Sequence, residues 1–116
     1  MHTQDLTIID ITQSAVSNDV YRNIPLALVN DHVIRMSVMT ALYFWHKHPN
    51  SDESFLVIEG SVFIDLEDRT IELLPNQLFT IPKNVTHRTR PNGERSVNLT
   101  FESGDMTTVR VEGLGE

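Results

Sequence analysis

The chain is built from short runs of alternating apolar and polar residues, interrupted every few positions by residues that turns favour. The runs are "LTIIDI" (6–11), "IPLALV" (24–29), "VIRMSVM" (33–39), "ALYFWHKH" (41–48), "SFLVIE" (54–59), "SVFIDLE" (61–67), "TIELL" (70–74), "LFTIP" (78–82), "SVNLTFE" (96–102) and "TTVRV" (107–111). Between them stand Asn30-Asp31, Gly60, Asp68-Arg69, Pro75-Asn76, Lys83-Asn84 and Pro91-Asn92-Gly93, each suited to a turn for its own backbone reason. Period-two alternation with regular turn signals predicts an all-β sandwich or barrel. Closing the strands on one another also hides their edges. Only "TQSAVSNDV" (12–20) suggests a short helix. A chain of 116 residues without a repeat or linker is expected to form one domain, 1–116, with residues 1–30 as an N-terminal arm.

Side chains two apart on a strand share a face. In "ALYFWHKH" one face carries Leu42, Phe44, His46 and His48, and the other carries Tyr43, Trp45 and Lys47. The histidines thus continue an apolar face, which in a barrel is the interior. Glu53 shares parity with Phe55 and Val57, while Val62, Ile64 and Leu66 form another inward set. These phases agree on one cavity with His46, His48 and Glu53 at one end, and Phe44, Phe55, Val57, Met36 and Leu99 as candidates for its lining. Buried imidazoles and carboxylates need partners, and a divalent cation satisfies several at once. His87, which shares a face with Val85 near a strand end, offers a third nitrogen.

Composition narrows the partners. Cysteine is absent, so disulfides and thiolate ligands are excluded and His, Asp and Glu remain as metal donors. The formal charge is −7, and the longest basic feature is the spaced trio Arg88, Arg90 and Arg95. Neutralising phosphates takes clustered Lys and Arg, so neither nucleic acid nor an anionic membrane is an expected partner. The start "MHTQDLTIID" lacks a basic, apolar leader, and no apolar stretch approaches the roughly 20 residues that span a bilayer. A cytoplasmic location is expected, where the sequons at Asn84 and Asn98 are inert.

The spacing also carries a resemblance. His46-Lys47-His48, four residues, Glu53, six residues and Gly60 are similar to the first motif of the cupin superfamily, with Thr40 in place of its leading glycine. The second motif is matched by Asn76, five residues, Pro82-Lys83-Asn84, two residues, His87, three residues and Pro91. Asparagine replaces both glycines there and tolerates positive φ better than other side chains. Pro91 departs from the family's asparagine, at a position that is not a metal ligand. The two motifs span residues 40–91.

The resemblance implies a double-stranded β-helix, a jelly-roll-like barrel of two antiparallel sheets, with His46, His48, Glu53 and His87 as ligands of one divalent transition metal. Three nitrogens and one oxygen suit iron, manganese, nickel, cobalt, copper or zinc. It further implies a small-molecule ligand in the barrel pocket and a homodimer. Two functions follow: a metal-dependent enzyme of oxygenase, isomerase or lyase type, or a non-catalytic sugar-binding or sensing module. No catalytic residue beyond the ligands stands out.

Blander roles apply elsewhere. Asp52 is either an alternative to Glu53 or a solvated acid, and His2 and His32 are surface residues. Arg88 and Arg90 lie opposite His87 by parity and face outward instead of binding an anion at the pocket mouth. Tyr43 points away from the metal. Trp45, Tyr43 and Phe63 share an outward phase and want cover, from the "LTIIDI" arm or from a second subunit.

Overall fold

A computed structural model of the chain describes residues 6–16 and 21–114. They form α1 (Ile11–Ser14), β1 (Arg22–Val29), β2 (His32–Met39), β3 (His46–Lys47), β4 (Glu53–Glu59), β5 (Val62–Leu66), β6 (Thr70–Leu73), β7 (Leu78–Ile81), β8 (His87–Pro91), β9 (Ser96–Ser103) and β10 (Val109–Arg110). Two five-stranded antiparallel sheets result, ordered β1-β2-β9-β4-β7 and β10-β3-β8-β5-β6. No helix among the described residues is long and apolar enough to cross a membrane.

The turns obey the expected backbone chemistry. Asn76 and Asn84 both adopt φ 69°, so asparagine does take the left-handed conformation at the two positions where glycine was expected. Gly60 links β4 to β5 at φ 72°, and a Cβ there would come within 2.9 Å of the Arg95 carbonyl oxygen. Pro91 ends β8 opposite Val62. β3 pairs with β8 only at His46 and His87, so it makes no demand on the proline nitrogen.

One end of the space between the sheets is filled with hydrocarbon. Phe55, Val57, Val62, Ile64, Leu73 and Ile81 form a buried cluster there, with Leu66 and Phe79 packed against it. Burying each such side chain stabilises the fold by about 1.5–3 kcal/mol. The other end is polar: Arg35 and Ser37 of β2, with Asn98, Thr100 and Glu102 of β9, line a cavity.

The alternate residues of β2 and β9, Met36, Val38, Val97 and Leu99, therefore lie on the outer face of that sheet. Ala15 joins them as a buried neighbour, and Ile11 packs against them from α1. This corrects the expectation that Met36 and Leu99 line the cavity. The short N-terminal helix gives the outer face its cover, so apolar residues there need not point inward. The Arg95 guanidinium ties the segment down by donating to the Ala15 carbonyl while pairing with Glu59.

Two expected strands change character. In "LTIIDI" the Asp10 side chain accepts a hydrogen bond from the Gln13 N–H at 2.8 Å, which caps α1 instead of extending a strand. That helix covers the start of "TQSAVSNDV", of which residues 17–20 lie outside the described residues. In "ALYFWHKH" only His46–Lys47 is strand. Ahead of it the chain loops, with the Tyr43 N–H donating to the Thr89 carbonyl at 2.9 Å. Parity fails in this loop, leaving Leu42 exposed and Tyr43 on the cavity wall.

On the outer face of the second sheet, Asp65 organises a charged knot. It accepts hydrogen bonds from Arg88 Nε at 2.9 Å, Arg90 Nε at 2.9 Å and Thr70 Oγ1 at 2.7 Å. The guanidinium groups of Arg88 and Arg90 lie 4.8 Å from the Trp45 ring centre and 4.6 Å from that of Phe63. Both arginines thus face away from His87, as parity requires, and cover two of the outward aromatics themselves. Burial alone would raise the Asp65 pKa, but the hydrogen bonds from Arg90, Thr70 and Arg88 outweigh it and hold it at about 2.

A carboxylate with a depressed folded pKa stabilises the fold above its unfolded pKa, and that contribution disappears as pH falls through the folded value. Asp65→Asn should therefore cost on the order of 2 kcal/mol near neutral pH. Thermal melts of the two proteins should converge as the pH is lowered from about 4 to about 2.

Candidate metal centre and its cavity

The second sheet delivers all three histidines of the centre. His46 begins β3, His48 follows it, and His87 begins β8 directly opposite His46. Glu53 reaches the same point from the first sheet, as the opening residue of β4. His46, His48, Glu53 and His87 are 4%, 5%, 8% and 0% exposed. Their candidate ligand atoms all lie within 4.8 Å of one another. Bond lengths to first-row ions are about 2.0–2.2 Å, which puts trans ligand atoms about 4.0–4.4 Å apart, so the group has close to the dimensions of one coordination shell.

Hydrogen bonds fix the rings. Nδ1 of His46 donates to the Phe44 carbonyl at 2.6 Å, Nδ1 of His87 to the Val85 carbonyl at 2.9 Å, and Nδ1 of His48 to the Thr107 carbonyl at 3.0 Å. A carbonyl only accepts, so each Nδ1 carries a proton and each neutral ring presents the Nε2 lone pair. Nε2 of His48 and of His87 lie 3.1 and 3.5 Å from Glu53 Oε1. The angles still leave both nitrogens and that oxygen without a well-formed hydrogen bond. Buried acceptors left unpartnered in one place are what a cation would satisfy.

Electrostatics agree. Burial, reinforced by the charge of His87, lowers the His46 pKa to about 4, so this ring stays neutral. Burial lowers that of His48 as well, but Glu53 outweighs it and the net shift is upward. For Glu53 the order is the same: burial raises its pKa, and the pull of His48 and His87 overcomes this and holds it at about 2. Without an ion, Glu53 and His48 form a partial ion pair.

The centre opens onto a cavity of about 320 Å³. Phe55 lines it as expected, whereas Val57 belongs to the hydrocarbon cluster behind. Phe44 stacks on Tyr43 at 4.3 Å and carries Arg110 on its ring. Tyr43 meets His46 edge-on at 4.9 Å. Asp52 is not at the centre; its Oδ1 accepts from the Lys83 N–H at 2.8 Å, which holds the Pro82-Lys83-Asn84 turn. His32 is exposed beside Asp31, and His2 lies outside the described residues.

Sequence reasoning missed Glu102. It stands opposite Glu53 in the β4–β9 register, 3% exposed, with Arg35 Nε 3.1 Å from its Oε2 and its Oε1 unpartnered. The signal was present in "SVNLTFE", where Asn98, Thr100 and Glu102 share parity, but polar alternation ordinarily marks a solvent face. Burial, then the charge of Glu53, pushes the Glu102 pKa up to about 7, against the pull of Thr100 and Arg35.

Comparison with known proteins follows the same lines. Residues 39–101 match the family described as a cupin domain. Over 102 residues the chain is 43% identical to the uncharacterized protein YdbB of Bacillus subtilis (strain 168), covering 84% of this chain and 89% of YdbB. The chain belongs to the cupin family. A cupin-2 domain containing protein from Shewanella frigidimarina superposes with a TM-score of 0.76 at 26% identity, over 83% of this cupin and 94% of that chain. A double-stranded β-helix protein from Klebsiella pneumoniae reaches 0.77 at 15% identity, over 94% and 100% of the two chains, a likeness of fold alone. This cupin thus has the double-stranded β-helix architecture and carries a buried His/His/Glu/His group able to hold a metal ion.

An acid whose folded pKa is raised stabilises the fold below its unfolded pKa and loses that contribution as pH rises through the folded value. In metal-free protein, Glu102→Gln should therefore raise the melting temperature at pH 8 by several degrees and leave it nearly unchanged at about pH 4, below the unfolded value of 4.5, where Glu102 is largely protonated in both states; scanning calorimetry in the presence of a chelator reads the difference.

Proposed function

We propose that this cupin is a divalent-metal-dependent enzyme acting on a small oxygenated organic molecule, with His46, His48, Glu53 and His87 as the metal ligands. The observation that carries the reading is the set of three Nδ1 hydrogen bonds to backbone carbonyls, which leaves the Nε2 lone pair of each ring for the cluster it forms with Glu53. A first-row divalent ion there supplies Lewis acidity toward a chelating oxygen or, if iron, oxygen chemistry.

The chain's own residues supply the rest. Glu102, buried beside the centre without belonging to the ligand set, is placed to hold or move a proton at Oε1. Arg35 braces its other oxygen. Phe55 and Tyr43 supply apolar walls that exclude water and orient a ligand. Capture of a sugar or metabolite without turnover is the second reading, favoured by the polar face of β2 and β9 in the same cavity. Fully exposed Leu6 and Ile8 offer an apolar strip to a second copy, in keeping with a homodimer.

Protein purified without an affinity tag or added metal should carry near-stoichiometric divalent metal by elemental analysis. The folded variants His46→Ala and His87→Ala should carry almost none. A folded wild type that holds no metal and takes up none on reconstitution overturns the reading. In metal-loaded protein, Glu102→Gln should keep the metal but lose at least about a hundredfold in turnover of a chelating hydroxy-ketone or diol found by screening. Binding without turnover would instead favour the capture module.

A further inference from the structure

The cavity has a second polar locus that the metal reading does not use. Asn98 of β9 is 1% exposed and lines the cavity, yet neither its Nδ2 nor its Oδ1 has a hydrogen-bond partner. Its cross-strand neighbour Ser37 on β2 is 4% exposed and lines the same wall, and its Oγ is also unpartnered. Leaving one buried polar group unmade costs about 1–3 kcal/mol. Three such atoms on one wall are a standing penalty, and it falls where a ligand would remove it.

The locus is set apart from the centre. Asn98 precedes Glu102 by four residues on the same strand and face, a separation of about 13 Å. Glu102 pairs in register with Glu53, so the metal candidates lie at one end of this wall and Asn98 with Ser37 at the other. The chemistry of the far end is specific. Val57, also opposite Asn98, is fully buried, and no charged side chain stands in the Ser37–Asn98–Val57 row. The row continues to Asn23 of β1, whose Oδ1 accepts from Arg35 Nη1 at 3.5 Å, but Arg35 is already paired with Glu102. An ionised group would therefore be desolvated there with no further counter-charge. Asn98 offers a donor and an acceptor side by side, and Ser37 adds a hydroxyl that can do either.

We propose that Asn98 and Ser37 form a distal recognition subsite for an uncharged carboxamide or hydroxy-carbonyl group. The ligand of this cupin is then an elongated molecule that chelates through oxygen at one end and ends in such a group at the other. The proposal rests on the reading that the four-residue centre holds a metal, and it adds the ligand class to that reading.

The test uses full-length protein reconstituted with cobalt(II), whose visible spectrum reports chelation. Benzohydroxamate is the parent probe. Its 4-carbamoyl and 4-isopropyl derivatives are similar in shape but differ in hydrogen bonding. The expected result is that all three perturb the spectrum and that the carbamoyl compound binds at least about tenfold more tightly than the isopropyl one. Asn98→Leu should remove or invert that preference, and Ser37→Ala should weaken it, while cobalt content and parent affinity stay constant. The melting temperature of Asn98→Leu should hold or rise, because an unpartnered amide has been replaced by hydrocarbon.

Equal affinity for the two derivatives, with the parent bound, overturns the subsite and leaves the metal reading standing. A fall in melting temperature in Asn98→Leu with unchanged ligand preference assigns Asn98 a structural role and likewise overturns the proposal. Failure of the parent to perturb the spectrum, or failure of cobalt to bind, overturns the metal reading and the proposal with it.

Discussion

Three backbone carbonyls, those of Phe44, Val85 and Thr107, each accept a hydrogen bond from Nδ1 of a buried histidine, and the chemistry of the site depends on those bonds. With Nδ1 free, an imidazole can protonate, flip or present either nitrogen. With Nδ1 committed to a carbonyl, the proton is fixed and the opposite lone pair is aimed. Two of the three carbonyls lie two residues before their own histidine, so the geometry is local to β3 and to the start of β8. The third, Thr107, comes from the segment leading into β10, so the last strand of the second sheet is needed to orient His48. The brevity of β3 follows from the same arrangement. Only His46–Lys47 has to be strand, because the preceding loop must bring the Phe44 carbonyl back to His46.

The barrel interior divides into two environments, and the division explains how a small fold carries so many buried polar groups. The cluster from Phe55 to Ile81 closes one end as hydrocarbon. The remainder is polar: His46, His48, Glu53 and Glu102 are buried at the centre, and Ser37 and Asn98 farther along the same wall. Burying that set is unfavourable unless partners are supplied, so stabilisation has to come from elsewhere. Part comes from the outer face of the first sheet, where Met36, Val38, Val97 and Leu99 are covered by Ala15 and Ile11. Part comes from Asp65, which binds two arginines and a threonine on the outside of the second sheet. Apolar packing and ion pairing on the outer faces thus offset polar burial within, a partial inversion of the apolar-inside rule.

That inversion also explains what the sequence made legible. The four candidate ligands, the turns at Gly60, Asn76 and Asn84, and most strands follow from spacing, parity and φ preference, which are local properties. The two-sheet architecture follows from the alternation. Most of the errors share one assumption, that the apolar side of a strand faces inward. It misplaced Met36 and Leu99, whose cover is a helix of four residues with no strong periodic signal. It also concealed Glu102 and Asn98, because a polar alternation looks like a solvated face until the opposite face is known to be buried. Tyr43 was misassigned for a different reason: parity holds only in a strand, and nothing in "ALYFWHKH" marks where the strand begins. Arg88 and Arg90 were placed correctly because His87–Pro91 is regular.

Orphaned polar atoms distinguish this cavity from a packing defect. A void left by imperfect packing is lined by hydrocarbon and exposes no unsatisfied donors. Here Glu102 Oε1, Ser37 Oγ and both amide atoms of Asn98 are unpartnered on one wall, and Nε2 of His48 and of His87 are unpartnered at the facing centre. Replacing Ser37 and Asn98 by apolar residues of similar shape would be neutral or favourable for folding. A wall that lowers stability and gains nothing in packing is best explained by what it recognises. The alternating register of β2 and β9 lets the protein keep such a wall, because each inward polar residue is flanked by outward apolar ones that hold the strands in place. Stability and recognition are thereby assigned to opposite faces of the same two strands.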